Sequence, residues 1–368
     1  MTTLSGPVGQ VPAPKGPPPA TVPTAKASAL RHAMLNAHVR FIALSLVALV
    51  ALLLVLSLVL FALQQISGTD PVAAMLGPNA SHSQIEALRH QLGYDQPAAE
   101  QYLRYLKGLL HGNLGTSFRT RHPVSSDIGT FLPPTIELVL AALLVALVLA
   151  VTFAVTSVLN WKGTGIFRGL LLVGACTPTF LLGIGGLILL YQDLGWLPAG
   201  GQVTNPDTAP TGTGFMLIDA LVHGQPGVFI DAVKHLILPA LALAIGPAIA
   251  IGRVFRTSII DTLGSDHVRT ARAKGLTEPR ILRLHVFRNA INGALSMMGL
   301  QIGFMFAGTV VVEGVFSWPG IGSYLEDSIA VSDFPAVAGV TFVLAGIYIV
   351  ANALVDILQS LADPRIAI

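Results

Sequence analysis

Apolar positions fall into six long runs separated by polar stretches, and that alternation sets the expected architecture. The runs are Phe41–Leu63, Pro134–Leu159, Gly169–Leu190, Leu236–Ile251, Ala290–Val312 and Ala336–Leu358. A helix rises about 1.5 Å per residue, so about 20 apolar residues cross a hydrocarbon core of about 30 Å. Leu236–Ile251 reaches that length only by continuing past Gly252. The pattern predicts an all-α polytopic membrane protein. Its spans are placed at 39–63 and at about 134–159, 169–193, 236–260, 290–312 and 336–360.

The polar stretches differ in kind. Residues 1–38 open with a Pro-, Ala-, Gly- and Thr-rich tract that buries too little apolar surface to order itself, so they are expected to be disordered. A cleaved signal would place its apolar core nearer the start, so the first run is expected to remain as a helix. Residues 64–132 read as a small helical region. Ser83-Gln-Ile-Glu86 has the capping-box pattern, with Gly93 as the stop. A second helix is expected from Pro97 to Leu110, with Tyr102, Leu103, Leu106 and Leu110 on one face and Gly112 ending it. A turn over Asn113–Phe118 and a third short helix from Val124 to Phe131 complete the region. The loop from about Gly195 to Lys234 is rich in Gly, Pro and Thr. Its apolar patch, Phe215–Val222, is too short to span and is expected to lie at the interface. Tyr191 and Trp196 suit an aromatic belt.

Composition agrees with this picture. The 368 residues are 53% hydrophobic and only 11% charged, against roughly 25% charged in soluble domains. Mean hydropathy is +0.70. A formal net charge of +2 gives no footprint for nucleic acid. The one cysteine, Cys176, excludes an internal disulfide and lies in an apolar run, so it is expected to be a small buried side chain. Charge distribution supplies orientation. With both termini inside, the inner segments carry fifteen Lys and Arg and the outer segments six, five of those in one long loop. The termini are therefore expected in the cytoplasm.

Eight of the fifteen lie between Arg253 and Arg288, and six of those sit in residues 264–289, between the fourth and fifth runs. Arg269, Arg272, Lys274, Arg280 and Arg283 surround the single joint Gly275. Thr277 stands at an N-cap position and Pro279 in a first turn, so a helix–turn–helix hairpin is expected. Such a basic hairpin held against the inner face suits docking of a partner. After the fifth run, Trp318-Pro319-Gly320 breaks the helix, and the chain can re-enter as a short gate-like element. Glu313 lies in the apolar stretch before that break. Two readings of it stand: a brace for the broken helix, or a contact with cargo. Asn352 and Asp356 share a helix face and suit polar bonding between helices. Pro178, Pro239, Pro247 and Gly183-Ile-Gly-Gly186 fit close helix packing or a hinge. No Gly-x-x-x-x-Gly-Lys-Ser/Thr loop, His-Glu-x-x-His pair or Gly-x-Ser-x-Gly elbow occurs, so no nucleotide, zinc or serine-hydrolase chemistry is expected.

Two motifs carry a family resemblance. Arg269-Thr-Ala-Arg-Ala-Lys-Gly-Leu276 resembles the "EAA" loop of ABC-importer permeases in its peptide/nickel form. Arg269 stands where many importers have Glu. Val311-Val-Glu-Gly-Val-Phe-Ser-Trp-Pro-Gly-Ile-Gly322 resembles the signature after the fifth span of the same permeases. Gly93-Tyr-Asp-Gln-Pro97, Leu114-Gly-Thr-Ser-Phe118 and Asp363-Pro-Arg365 fit it too. The resemblance implies a type I ABC-importer permease fold with a core over 133–361, a tail at 362–368 and an extracytoplasmic region after the first helix. It implies that Arg269, Thr270, Ala271, Arg272, Ala273, Lys274, Gly275 and Leu276 couple to an ATPase. In that reading the three charges reach the ATPase surface, and Ala271 and Ala273 allow close approach. Glu313, Trp318, Pro319 and Gly320 are implied gate or pathway positions. The implied setting is a bacterial inner membrane, with lipid, a sister permease, two ATP-binding subunits and an extracytoplasmic solute-binding protein as partners. ATP and Mg would sit on those partners, with no cofactor in this chain. Di- or oligopeptides are the implied cargo. Nickel, glutathione or another small solute remains open, as does a passive channel or membrane scaffold. The 64–132 region is left as either a packed cap or a docking site for the binding protein.

Overall fold

The computed structural model describes residues 47, 50–66, 70–77, 80–159 and 164–362. The expectations for the N-terminal tract, the start of the first span and Asp363-Pro-Arg365 fall outside these residues. Among the described residues the architecture is helical, with one isolated bridge, Thr116 to Pro123. Four helices are long and apolar enough to cross a membrane: α5 (Val124–Leu159), α9 (Pro226–Leu263), α12 (Phe287–Phe316, entered from Glu278) and α14 (Phe334–Ala362). A fifth span results if the bent pair α6 (Thr164–Cys176) and α7 (Thr179–Gly186) is counted as one. The shorter apolar helix α1 is Val50–Ile66.

Small residues explain how the centre is built. On α5, Ala142, Ala146 and Ala150 are fully buried at four-residue spacing; on α9, Ala240, Ala244, Ala248 and Gly252 repeat the device. A Cβ on Gly252 would lie 3.3 Å from Ala150 Cα, so the two backbones approach closely. Packing of this kind drives association where lipid removes any hydrophobic gain between helices. The α12 face adds Met298, Ile302, Met305, Phe306 and Val312 to the same core.

Several expectations are corrected. The short helix at Val124–Phe131 and the second span are one continuous α5, which passes through Pro133 and Pro134. Proline removes an amide donor without ending a helix that neighbours hold. The third span is not straight: after Cys176 the chain bends by 116° at Thr177-Pro178, and α7 runs on as a π-helical stretch, Leu187–Asp193. Pro239 and Pro247 interrupt nothing; both lie inside α9. Cys176 is exposed, because it sits at the end of α6 beside that break. The glycine surface does pack: a Cβ on Gly183 would meet Phe316 and Val315 at 3.1 Å, and one on Gly186 would meet Leu238 at 3.0 Å.

Between α1 and α5 lie α2 (Pro71–Leu76), α3 (His82–Leu92) and α4 (Ala98–Leu110). Sequence reading missed α2, whose cap is Asp70 accepting from Val72 N at 3.1 Å. The capping box of α3 is Ser81 with Gln84, two residues before the expected pair, and Gly93 closes the helix in the left-handed conformation. The expected face of α4 divides. Tyr102 pairs with Ser57 at 2.8 Å and packs on Phe61, while Leu103 and Leu110 are exposed. The patch Phe215–Val222 becomes α8 (Met216–Val222). Its Asp219 is buried. Burial pushes that carboxyl up, but hydrogen bonds from Thr213 N, Thr213 Oγ1 and Gly214 N, helped by His223, hold it below the usual range.

Candidate functional sites at the two ends of the bundle

One end carries the hairpin. Helix α10 (Asp266–Ala273) is followed by Lys274 and by Gly275 at φ +77°, then by α11 (Glu278–Ile281) and a π-helical turn, Leu282–Val286, leading into α12. Gly275 N donates to Arg272 O at 2.9 Å and Leu276 N to Ala271 O at 3.3 Å. That pair of bonds is a Schellman ending, with glycine where a side chain would be strained. Thr277 occupies the N-cap position without a side-chain bond, and Pro279 lies in the first turn of α11.

The hairpin is seated on the bundle by an apolar underside. Val268 and Ala271 of α10, Ile281, Val286 and Ala290 pack with Ala154 of α5 and with Phe255 and Ile259 of α9. Phe255 and Phe287 meet edge to face at 5.6 Å. Leu276 joins the same cluster and supplies the apolar contact that accompanies a Schellman ending.

This placement corrects the expected use of Ala271. It is 5% exposed and makes close approach inside the protein, not at an outer surface. Arg269, Thr270, Arg272, Ala273, Lys274 and Gly275 form the exposed face, with Leu276 half-buried. The charge there is partly neutralised: Arg269 pairs with Asp266 at 3.3 Å, and Arg272 grips Glu278 at 2.6 and 3.2 Å. The second pair ties α10 to α11 across the turn. Exposed pairs of this kind contribute little stability, so the apolar seat holds the hairpin.

The other end holds a buried polar knot. Helix α12 stops at Ser317, which adopts φ +48°, and the chain crosses Trp318-Pro319-Gly320 into α13 (Ile321–Ala330). Glu313 is fully buried. Its Oε1 accepts from Thr135 Oγ1 at 2.6 Å and its Oε2 from Ser323 N at 2.9 Å. Thr135 Oγ1 in turn accepts from Ile321 N at 2.7 Å. The carboxylate thus caps α13 from another helix and ties it to α5, supplying the acceptors that a helix N-terminus lacks. Trp318 is 2% exposed and donates from Nε1 to Pro134 O at 3.0 Å.

Glycine is required in the knot. A Cβ on Gly320 would lie 2.2 Å from Glu313 Oε1, and one on Gly322 would lie 2.7 Å from Val310 Cα. Of the four gate candidates, Glu313, Trp318 and Gly320 are interior, and Pro319 alone is exposed. A cavity of about 390 Å³ opens there, with Phe131, Pro134, Gln202, Thr213, Met216 and Pro319 among its walls.

Neighbouring bonds fasten this end. Tyr324 donates to Asp127 at 2.9 Å and stacks on Phe131, while Ser117 donates to the fully buried Asp333 at 2.5 Å. Sequence reading missed Thr135, Ser323, Asp127 and Asp333. Asp333 alone left a local signal, an acidic residue three positions before Ala336 N, which donates to it at 3.3 Å. The loop from Gly195 is pinned as well. His235 is buried with Nδ1 2.8 Å from Gly200 O, and Gly201 N donates to Phe316 O at 2.9 Å. A Cβ on Gly200 would lie 2.2 Å from Phe316 O. Gly200→Ala is therefore expected to lower the thermal unfolding temperature of detergent-solubilised protein, and an unchanged melt would refute this pinning. Asn352 does not bond between helices: its Nδ2 donates to Tyr348 O on its own helix. Gln359 makes the cross-link, to Ser296 of α12 at 3.1 Å.

The family model described as "Binding-protein-dependent transport system inner membrane component" matches residues 132–368, and its N-terminal companion matches 38–141. The chain is 40% identical over 330 residues to a di/tripeptide transport system permease protein of Pseudomonas aeruginosa, covering 89% of this chain and 98% of that one. It is 39% identical over 301 residues to a probable D,D-dipeptide transport system permease protein of Escherichia coli, covering 81% and 88%. Against the dipeptide transport system permease protein of the same organism it is 37% identical over 323 residues, covering 84% and 94%.

Proposed function

The chain belongs to the binding-protein-dependent transport inner-membrane component family, and from that premise we propose that it is the permease subunit of an ATP-driven peptide importer. It is not itself an enzyme. The observation that carries the reading is the hairpin: a compact element with an exposed face, seated on one end of α5, α9 and α12 by an apolar cluster. A push on that face reaches three long helices through close-packed side chains. In this reading the hairpin end faces the cytoplasm of a bacterium, and the first helix with the bent pair completes six spans. Region 64–132 lies outside the membrane. A sister permease supplies the other half of the path, two ATP-binding subunits grip the hairpins, and a solute-binding protein delivers di- or oligopeptides. ATP energy reaches the path only if the hairpin binds its ATPase differently in the two nucleotide states. Beside Pro319, the cavity of about 390 Å³ supplies the outer part of the route, with Glu313 as brace rather than ligand.

The test is ATP hydrolysis by the purified complex in the presence of its binding protein and a series of peptides. Stimulation by peptide supports the reading; a complex indifferent to every peptide overturns the cargo. Burial separates two hairpin variants. Ala271→Glu forces a carboxylate into the apolar seat and is expected to reduce the amount of inserted protein. Ala273→Glu changes only the exposed face and is expected to keep abundance while abolishing stimulated hydrolysis. Normal stimulation in Ala273→Glu would refute docking through this face.

A further inference from the structure

A second basic feature lies near the hairpin but outside it. Between the end of α5, the start of α6 and the last third of α9 is a cavity of about 640 Å³, lined by Phe153, Ser157, Arg168, Leu172, Arg253 and Arg256, with glycines and Thr257. No carboxylate among the described residues lines it. Among the described residues, none of the three arginines makes an ion pair. Arg168 donates from Nε to Thr164 O at 3.3 Å, which leaves the outer part of its guanidinium for other acceptors.

Ser157 provides the second observation. It is 5% exposed, and its hydroxyl has no hydrogen-bond partner. Thr152 and Thr156, on the same helix, do what hydroxyls in apolar helices ordinarily do: each donates to the carbonyl four residues back, at 2.7 and 2.6 Å. Ser157 keeps its donor for the cavity. A buried hydroxyl left unpaired is costly, so a ligand is the simplest account of it.

We propose that this cleft binds the phosphate headgroup of an anionic phospholipid of the cytoplasmic leaflet, with Arg168, Arg253 and Arg256 as charge partners and Ser157 as hydrogen-bond donor. Guanidinium forks match phosphate oxygens in pairs, and basic pockets between helix ends on the cytoplasmic side recruit such headgroups. The surroundings fit a lipid better than a free ion. Gly165 and Gly169 leave the α6 wall open, with nothing within 4 Å of where a Cβ would stand. Ile166, Leu170 and Val173 continue along one exposed apolar face of α6, and Phe153 and Leu172 wall the cleft. That is a track for acyl chains beginning at a phosphate site. Its assignment to the cytoplasmic leaflet rests on the orientation proposed above.

The assay is native mass spectrometry of the purified complex during stepwise delipidation, in nanodiscs of phosphatidylglycerol mixed with phosphatidylcholine. The wild type is expected to retain phosphatidylglycerol over phosphatidylcholine by about tenfold or more, since the three arginines favour the headgroup with a net negative charge. Arg253→Gln/Arg256→Gln is expected to lose that preference with the complex still assembled, and Ser157→Ala to weaken it several-fold. Equal retention of both lipids by the wild type would overturn the site. So would displacement of the lipid by millimolar inorganic phosphate alone, which marks an ion site. Dissociation of the sister permease in the double variant would assign the arginines to a subunit contact instead. Lipid retention is read independently of transport, so a complex that keeps the lipid but ignores peptides refutes the cargo and spares the cleft. Labelling of a cysteine at Thr257, in a Cys176→Ser background, by an impermeant reagent outside intact cells would overturn the leaflet assignment.

Discussion

Glu313→Leu is expected to reduce the protein recovered from membranes to a small fraction of the wild-type level, with the remainder melting well below it. The substitution keeps bulk and removes both acceptors. Thr135 Oγ1 and Ser323 N then face apolar atoms in a site with no exposure. Each buried donor left unmade costs about 1–3 kcal/mol, a large share of the roughly 5–15 kcal/mol by which folded proteins are stable. Glu313→Gln separates brace from cargo contact. Its oxygen can still serve Ser323 N, and its amide can donate to Thr135 Oγ1. The Thr135 proton would then be left with Phe131 O at 3.4 Å. A milder loss of abundance is therefore expected, with the peptide concentration for half-maximal stimulation unchanged. Wild-type amounts of the leucine variant would refute the brace, and a selective shift in peptide response for the glutamine variant would restore Glu313 as a contact with cargo.

Gly275→Pro is expected to abolish peptide uptake and peptide-stimulated ATP hydrolysis while leaving the chain inserted. Proline fixes φ near −65°, whereas the turn needs +77° there. It also deletes the amide that donates to Arg272 O and disfavours helical geometry at Lys274, so the last turn of α10 unwinds. The exposed face then points elsewhere, while the apolar seat beneath α9 and α12 persists. Gly275→Ala serves as a graded control. Open space surrounds the position, so the cost is the left-handed backbone alone, about 1–2 kcal/mol, and partial activity is expected. Uptake measured in cells and hydrolysis measured on purified complex check both variants. A proline variant that transports normally would show that the turn plays no part in coupling.

Much of this protein was legible one element at a time. Apolar runs gave α5, α9, α12 and α14 because a helix in lipid satisfies its own backbone, so length and composition are nearly sufficient. Gly275, Gly93 and Trp318-Pro319-Gly320 were readable because a glycine stop or a proline break is a local backbone constraint. The same local logic erred by two residues at Ser81, where two overlapping serine patterns compete. It erred more seriously at Pro133-Pro134, since it could not see that Trp318 and Thr135 would hold the helix together there.

The sequence by itself therefore determined that the chain is a helical membrane protein with a basic hairpin at one end and a broken helix at the other. Its motifs also pointed to the importer family that the comparisons identify. Only the tertiary structure decided what each residue does in those places. Ala271 looked like an outward contact and is buried, Glu313 accepts from Thr135 and Ser323 in the interior, and Ser157 and Arg253 line one cleft. The physical reason is range. Backbone propensity and the cost of unpaired amides in lipid act over a few residues and are written in the order of the chain. Burial and hydrogen-bond partnership depend on which distant segments, such as Thr135 and Glu313, fold into contact.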